Sequence, residues 1–266
     1  MCIRDSTQTF LLGSAELDGF LEYNQARQGL TILAEIVLQK ANEICFRHLI
    51  QRHGIPRDEN GEPAKFSIVG MGKLGGKELT YHSDLDIIFL YSGVGETDGQ
   101  LKVSNQLFYA KLIQRIISFL SSVTGCGYAY KLDTRLRPSG NAGVLVTTIS
   151  SFAAYHQQSK PWEHQALIKA RVVGGDIDEK WRVSVDKLLS KSAYEWEIPD
   201  DLHLKIAHLR GRKEEELSGE TFEQKNLKEG KGGLLDIEFL TQYLQLKFVT
   251  KFPLSIIHIS EPTRPL

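Results

Sequence analysis

Between Phe10 and His53 apolar residues return at steps of three and four, with Leu30, Leu33, Ala34, Val37, Leu38, Ala41, Ile44 and Cys45 forming the clearest run. That spacing gathers them on one face of a helix, so a helical lead-in is predicted. The stretch HGIPRDENGEPAK then concentrates Gly, Pro, Asp and Asn, which supply turn geometry and end the helical period. The period changes after it. KFSIVGMG and DLDIIFLYS are short, rich in β-branched and aromatic residues and bounded by glycine or polar residues, as strands are. Ser104 and Asn105 offer a cap for a helix whose stripe is Phe108, Tyr109, Leu112, Ile113, Ile116, Ile117 and Leu120, wide enough to cover a sheet.

GYAYKLDTRLRP alternates like a strand with one wet face and stops at Pro138, and GVLVTT after a Ser-Gly-Asn turn predicts another short strand. From Ile149 onward the periods read as helical: SSFAAYHQQ, PWEHQALIKARVV with Pro161 suited to a first turn, and DEKWRVSVDKLL. IPDDLH interrupts them. A charged helix, LKIAHLRGRKEEEL, then leads through a Gly/Lys-rich loop to LLDIEFLTQYLQLKF, the expected opening of a second, all-helical unit cut short.

The expected fold class is α+β, a small mixed sheet with covering helices. The expected organisation is a helical lead-in over 7–60, a sheet-bearing domain over 61–190 and a truncated helical domain over 200–254. The ends, MCIRDS (1–6) and IIHISEPTRPL within 255–266, resemble translated sequencing-adapter sequence flanking metagenomic reading frames. They are set apart from the fold on that ground, and the chain is expected to be a piece of a longer polypeptide.

Composition narrows the function only by exclusion. A formal net charge of −1 gives no bulk attraction to nucleic acid or an anionic membrane, so neither is expected as a partner. Three cysteines, Cys2, Cys45 and Cys126, have no C-x-x-C pairing, against a disulfide framework or a zinc cage. No apolar run approaches the roughly 18 residues of a membrane helix, and no signal peptide opens the chain, so a reducing cytoplasmic location is expected.

The chemistry concentrates in LTYHSDLDIIFL. Side chains alternate faces along a strand, so Asp84 and Asp86 share one face about 7 Å apart, with Leu85 on the other. Buried unpaired, each would be neutralised or cost several kcal/mol, whereas a divalent cation between them removes that cost. Asp133, on another predicted strand, offers a third oxygen ligand, and an all-oxygen set suits Mg²⁺ or Mn²⁺ over zinc. Just upstream, GMGKLGG carries four glycines in seven residues, which lets backbone amides approach a polyphosphate. It matches neither G-x-x-x-x-G-K-[ST] nor G-x-G-x-x-G. Asp133 also has a structural reading, as an ion pair with Lys131 or Arg135 on its own face.

A glycine-rich turn, an Asp-x-Asp strand and a third acidic strand resemble the nucleotidyltransferase superfamily typified by DNA polymerase β. The runs GMGKLGGKELTYHSDLDIIFLY, DTRLRPSGNAGVLVT, WEHQALIKARVV and GGLLDIEFLTQYLQL, in this order, are similar to the glutamine synthetase adenylyltransferase family over roughly residues 65–246. That family is bifunctional, and RLRPSG, WEHQAL and DIEFLTQYL look more like its carboxy-terminal, adenylylating half. The resemblance implies transfer of AMP from ATP to a tyrosine hydroxyl of glutamine synthetase, with release of pyrophosphate. It implies two Mg²⁺ ions on Asp84, Asp86 and Asp133, and phosphates seated by Gly75, Gly76 and Ser83. Arg135, Arg137, Lys169 and Arg171 are cation candidates by position. It also brings in the PII signalling protein as a regulatory partner.

Competing readings stay beside these. Arg135 and Arg137, sharing a predicted strand face, suit a structural role equally. Lys73 does not sit where a P-loop lysine does and reads as a solvated surface residue. His82 reads as a surface or hydrogen-bonding residue, since metal-assisted transfer requires no base. Trp162 and His164 read as packing residues. Asp236 and Glu238, on a helix, point about 200° apart and do not suit a shared ion. For the whole chain the alternatives are the sister phosphorolytic removal of AMP from modified glutamine synthetase, a non-catalytic nucleotide-sensing module, and a polynucleotide-tailing enzyme, which near-neutral charge disfavours.

Overall fold

The computed structural model describes residues 2–123, 125, 127–221 and 224–249, with side chains from residue 6 onward. Cys126, residues 250–254 of the expected helical domain and the flank 255–266 lie outside the described residues. The elements in chain order are α1 (Cys2–Leu17), α2 (Tyr23–His53), β1 (Phe66–Gly70), α3 (Gly72–Gly75), β2 (Leu85–Tyr91), α4 (Asn105–Ser121), β3 (Leu132–Asp133), β4 (Thr147–Thr148), α5 (Ile149–His156), α6 (Pro161–Ala166), β5 (Arg171–Gly175), α7 (Glu179–Tyr194), α8 (Leu202–Leu217) and α9 (Leu234–Phe248). Residues 2–6, set apart in the sequence reading, belong to the start of α1. The fold is mixed α and β with a small mixed sheet, as expected.

The chain divides into two compact units, residues 1–155 with 169–189, and residues 156–168 with 190–266. In the first, the sheet runs β3-β2-β1-β5, with β4 also beside β2. β1 is antiparallel to β2 and to β5, while β3 and β4 lie parallel to β2 at its two ends. All five residues of β1 are buried, and so is every residue of β2 except the half-buried Asp86. The stripes of α2 and α4 close over the sheet, burying Leu30, Ala34, Val37, Leu38, Ala41 and Cys45 from one and Phe108, Tyr109, Leu112, Ile113, Ile116 and Leu120 from the other. Ile44, counted in the α2 stripe, is exposed. Ser104 caps α4 by accepting the Leu107 amide. Tyr109 stacks on Phe66, with centroids 5.1 Å apart, and donates its hydroxyl proton to the Ala64 carbonyl at 2.7 Å.

Two expectations about strands need correcting. The segment 127–138 does not run as one strand. The Asp133 carboxylate accepts the Arg135 amide at 2.9 Å, the Arg137 amide returns to the Thr134 carbonyl, and these local bonds end the strand after Asp133. Arg135 and Arg137 therefore lie in a turn and share no strand face, and the strand expected over GVLVTT shortens to Thr147–Thr148. Nor do strands finish before Ile149. The expected helix PWEHQALIKARVV stops at Ala166, and Arg171–Gly175 pairs with the second edge of β1, because a short Val-Val-Gly-Gly run meets an edge with unpaired backbone groups.

In the second unit Leu202, Ile206, Phe239 and Leu246 form the core, with Trp196 and Tyr243 packed against it. The buried Arg210 bonds Asp236 and the carbonyls of Glu229 and Gly230, so Asp236 is a structural partner. His164 stacks on Trp196 with centroids 4.0 Å apart and bonds the Ser192 carbonyl, in line with its packing role. No helix among the described residues is long and apolar enough to cross a membrane.

The Tyr109 hydroxyl is held inside the core by the Ala64 carbonyl, and deleting it leaves that carbonyl without its buried donor. Tyr109→Phe is expected to lower unfolding free energy by about 1–2 kcal/mol, measured by urea denaturation at unchanged m-value. A variant as stable as the parent would contradict the assignment.

Candidate active site

Asp84 stands one residue before β2 and Asp86 is its second residue, so the alternation of the extended chain sends both toward the same face. β3 then brings Asp133 into parallel register opposite Asp86, at the strand spacing of about 4.8 Å. The Leu85 amide donates to the Lys131 carbonyl at 2.9 Å and fixes that register. A two-residue strand thus sets one carboxylate beside another.

The charges respond to each other. Burial, and after it the charge of Asp133 with a contribution from Asp84, pushes the Asp86 carboxyl above the usual carboxylate range, against the lowering influence of Arg135 and Lys73. Asp133 goes the other way, held low chiefly by its hydrogen bonds from Arg135. The Arg135 side chain grips both Asp133 oxygens, and its own pKa is raised by Asp133, Asp86 and Asp84 together. One guanidinium is therefore the main counter-charge to three acids.

In this arrangement no three Asp, Glu, His or Cys side chains among the described residues are grouped to hold one ion. Both oxygens of Asp133 accept from Arg135 instead. The donor set nevertheless suits a hard cation. The side-chain carboxylates of Asp84 and Asp86 accept no hydrogen bond from a described residue, which is unusual for a half-buried carboxylate such as that of Asp86. Asp84 and Asp86 would hold the ion, and Asp133 would join on exchanging Arg135 for it.

The glycine turn sits directly against the acids. Gly72 has φ +51°, and a Cβ there would stand 2.8 Å from Asp86 Oδ2, so only glycine lets the turn approach that carboxylate. A Cβ on Gly75 would stand 2.1 Å from the Lys169 carbonyl oxygen. The amides of Gly75 and Gly76 donate to the Met71 and Gly72 carbonyls. Those two glycines shape the turn, and in this structure their amides are engaged within it. The amides of Gly72, Lys73 and Leu74, at the start of α3, meet no carbonyl among the described residues.

The remaining sequence candidates are distributed as follows. Ser83 accepts the Thr80 amide at 3.2 Å and bonds the Thr80 hydroxyl at 2.9 Å, beside Asp84. Arg137 donates to Thr134, Asn141 and Gly143 and ties its own loop together. The Lys169 ammonium lies between both Glu78 oxygens at 3.0 and 2.9 Å. Arg171 pairs with Glu35 and donates to the Gly75 and Leu74 carbonyls at 2.8 and 3.0 Å. Lys169 and Arg171 thus brace the glycine turn, and their charges are already matched by α2 and the following loop. Lys73, set aside in the sequence reading as a solvated surface residue, donates to Thr80 at 3.2 Å and bears electrostatically on Asp86. Sequence reasoning missed Glu35 and Glu78, the partners of Arg171 and Lys169. Nothing local in the sequence marks Glu35 or Glu78.

A family model described as glutamate-ammonia ligase adenylyltransferase matches residues 4–185, and one described as GlnD PII-uridylyltransferase matches residues 200–261. Among curated proteins, the chain is 36% identical over 255 residues to the bifunctional glutamine synthetase adenylyltransferase/adenylyl-removing enzyme of Nitrosococcus oceani, covering 92% of this chain and 26% of that protein. The proteins of the same description from Psychromonas ingrahamii and Idiomarina loihiensis are 38% and 39% identical, over 90% and 91% of this chain and 26% of each relative. The chain spans about a quarter of the length of these relatives.

Because the folded-state pKa of Asp86 is raised, the native state holds its proton more tightly than the unfolded chain, and ionisation costs stability as pH rises through that value. Without divalent cations, Asp86→Asn is expected to raise Tm at pH 7, and the gain is expected to shrink as pH falls through the raised pKa toward the ordinary carboxylate range. A Tm at or below the parent value at pH 7 would contradict the electrostatic account.

Proposed function

Given that the chain belongs to the glutamate-ammonia ligase adenylyltransferase family, we propose that it carries a nucleotidyl-transfer centre moving AMP from ATP to a tyrosine hydroxyl of glutamine synthetase. The observation that supports this most is the register of β2 and β3, which sets Asp133 against Asp86 with Asp84 beside them and leaves two of the three carboxylates without a protein partner. The printed description of the relatives supplies the acceptor protein.

In the proposed reaction the phenol oxygen of the acceptor attacks the α-phosphorus of ATP, the new O–P bond forming as the α–β bridging bond breaks. The electron pair leaves on pyrophosphate, and the phenol proton passes to water. A divalent ion, Mg²⁺ or Mn²⁺, bound by Asp84 and Asp86 and completed by Asp133 would neutralise phosphate charge and favour the acceptor oxyanion. The chain's own residues do the positioning. Gly72 keeps the turn within reach of Asp86, the free amides of Gly72 to Leu74 and the Lys73 ammonium face phosphate oxygens, and Arg135 turns from Asp133 to the triphosphate when that acid takes up its ligand role. Gly75, braced by Lys169 and Arg171, holds the turn still.

The adenylylating direction is the reading that RLRPSG, WEHQAL and DIEFLTQYL favour. The relatives' name also includes adenylyl removal, and the same acids would serve phosphorolysis of AMP-tyrosine by inorganic phosphate, yielding ADP. The match of residues 200–261 to a PII-uridylyltransferase model is the support for the PII signalling protein as a regulatory partner. A cytosolic site of action follows from the proposed acceptor.

α-Labelled ATP, Mg²⁺ and glutamine synthetase incubated with the chain are expected to give label on the synthetase, and the Asp84→Asn, Asp86→Asn variant is expected to be slower by at least about 100-fold. Equal rates would remove the centre from these residues. Phosphate-dependent ADP release from modified synthetase, without forward labelling, would reverse the assigned direction.

A further inference from the structure

A cavity of about 460 Å³ opens in the first unit, bounded by the α1–α2 pair, the loop before β2 and the segment that enters β3. Its volume falls in the range of small-ligand sites. Leu30 and Leu79, both buried, form its apolar floor, with Phe10 and Tyr128 as aromatic walls. Two charged groups line it, Asp84 and Lys131, and the Lys131 ammonium lies 5.4 Å from the centre of the Tyr128 ring. Asp84 also belongs to the acid cluster, whereas Asp86, Asp133 and the glycine turn do not line the cavity. A triphosphate at the turn and a second molecule in the cavity would therefore meet at Asp84.

We propose that this cavity receives the acceptor, a tyrosyl side chain presented by a partner polypeptide. The inference rests on the nucleotidyl-transfer reading above and assigns it an acceptor subsite. A flat ring with one polar tip suits a pocket that combines buried leucines and aromatic rings with a few polar and charged groups. Thr9, Thr80, His82 and Ser83 add polar groups to the lining, within reach of a phenol hydroxyl or the peptide that carries it. Lys131 gives the phenol a property that a phenyl ring lacks, since a cation beside the hydroxyl favours its ionised, nucleophilic form. The transfer is the step already written, with the attacking oxygen now placed on the Asp84 side of the acids.

The test uses two probes, N-acetyl-L-tyrosinamide and N-acetyl-L-phenylalaninamide, followed by saturation-transfer NMR on the chain with and without Mg²⁺-ATP. Tyrosinamide is expected to bind more tightly than phenylalaninamide and to stay bound when Mg²⁺-ATP is added. Tyr128→Ala, at an exposed ring, is expected to weaken both probes by about tenfold. Lys131→Met, at an exposed side chain, is expected to abolish the preference for the phenol while leaving phenylalaninamide unchanged. Mg²⁺-ATP affinity is expected to be the same in both variants. Probe binding indifferent to both substitutions, or displacement of tyrosinamide by Mg²⁺-ATP, would overturn the assignment while leaving the acid cluster standing. Mg²⁺-ATP binding that ignores Asp86→Asn would instead overturn the nucleotidyl-transfer reading, and the subsite with it.

Discussion

Mutual repulsion of carboxylates set side by side is the constraint around which this part of the molecule is organised. A parallel strand pair places Asp86 and Asp133 at the same level, with the exposed Asp84 two residues away on the same face, and burial of Asp86 already disfavours its charge. Such a grouping persists only with compensation. Arg135 provides part of it by closing on Asp133, and the backbone geometry that lets it do so is the same Asp133–Arg135 turn that ends β3. Strand termination and charge compensation are one local event. The Asp84 and Asp86 carboxylates receive no comparable hydrogen bond from a described residue; Asp84 is open to solvent, and Asp86 is half-buried.

The glycine turn extends the same logic from charge to shape. Its approach to Asp86 requires a residue without a Cβ at position 72, and its seat on the Lys169 carbonyl requires another at position 75. Two ion pairs then hold it, Arg171 with Glu35 from α2 and Lys169 with Glu78. Both pairs are partly buried and carry additional hydrogen bonds to turn carbonyls or second oxygens, which makes them geometric restraints more than sources of net stability. β5 thereby does two things at once, covering the open edge of β1 and delivering Arg171 to the turn.

Much of the fold was legible from periodicity. The stripes of α2 and α4 and the bounds of α9 follow from three- and four-residue spacing, and β1 and β2 from short β-branched runs between glycines and polar residues. β5 was not legible, because Arg-Val-Val-Gly-Gly continues a helical-looking stretch, and its strand character comes from pairing with β1 across some hundred residues of chain. The acids were legible because aspartate in a buried strand is costly. The part played by Lys169 and Arg171 was not, since charge at a plausible position says nothing about which partner claims it. Glu35 lies at a polar position of an amphipathic helix and Glu78 in a loop, and only the folded chain brings them to the turn.

The central claim, that three acids on adjoining strands jointly bind divalent cation beneath a nucleoside triphosphate, is tested most directly by titrating Mn²⁺ into the chain with a non-hydrolysable ATP analogue and following free Mn²⁺ by electron paramagnetic resonance. The account predicts nucleotide-dependent Mn²⁺ binding that weakens by at least about tenfold in each of the single variants Asp84→Asn, Asp86→Asn and Asp133→Asn. Mn²⁺ affinity unchanged in Asp133→Asn would break the three-acid site, and unchanged affinity in all three would contradict the account as a whole.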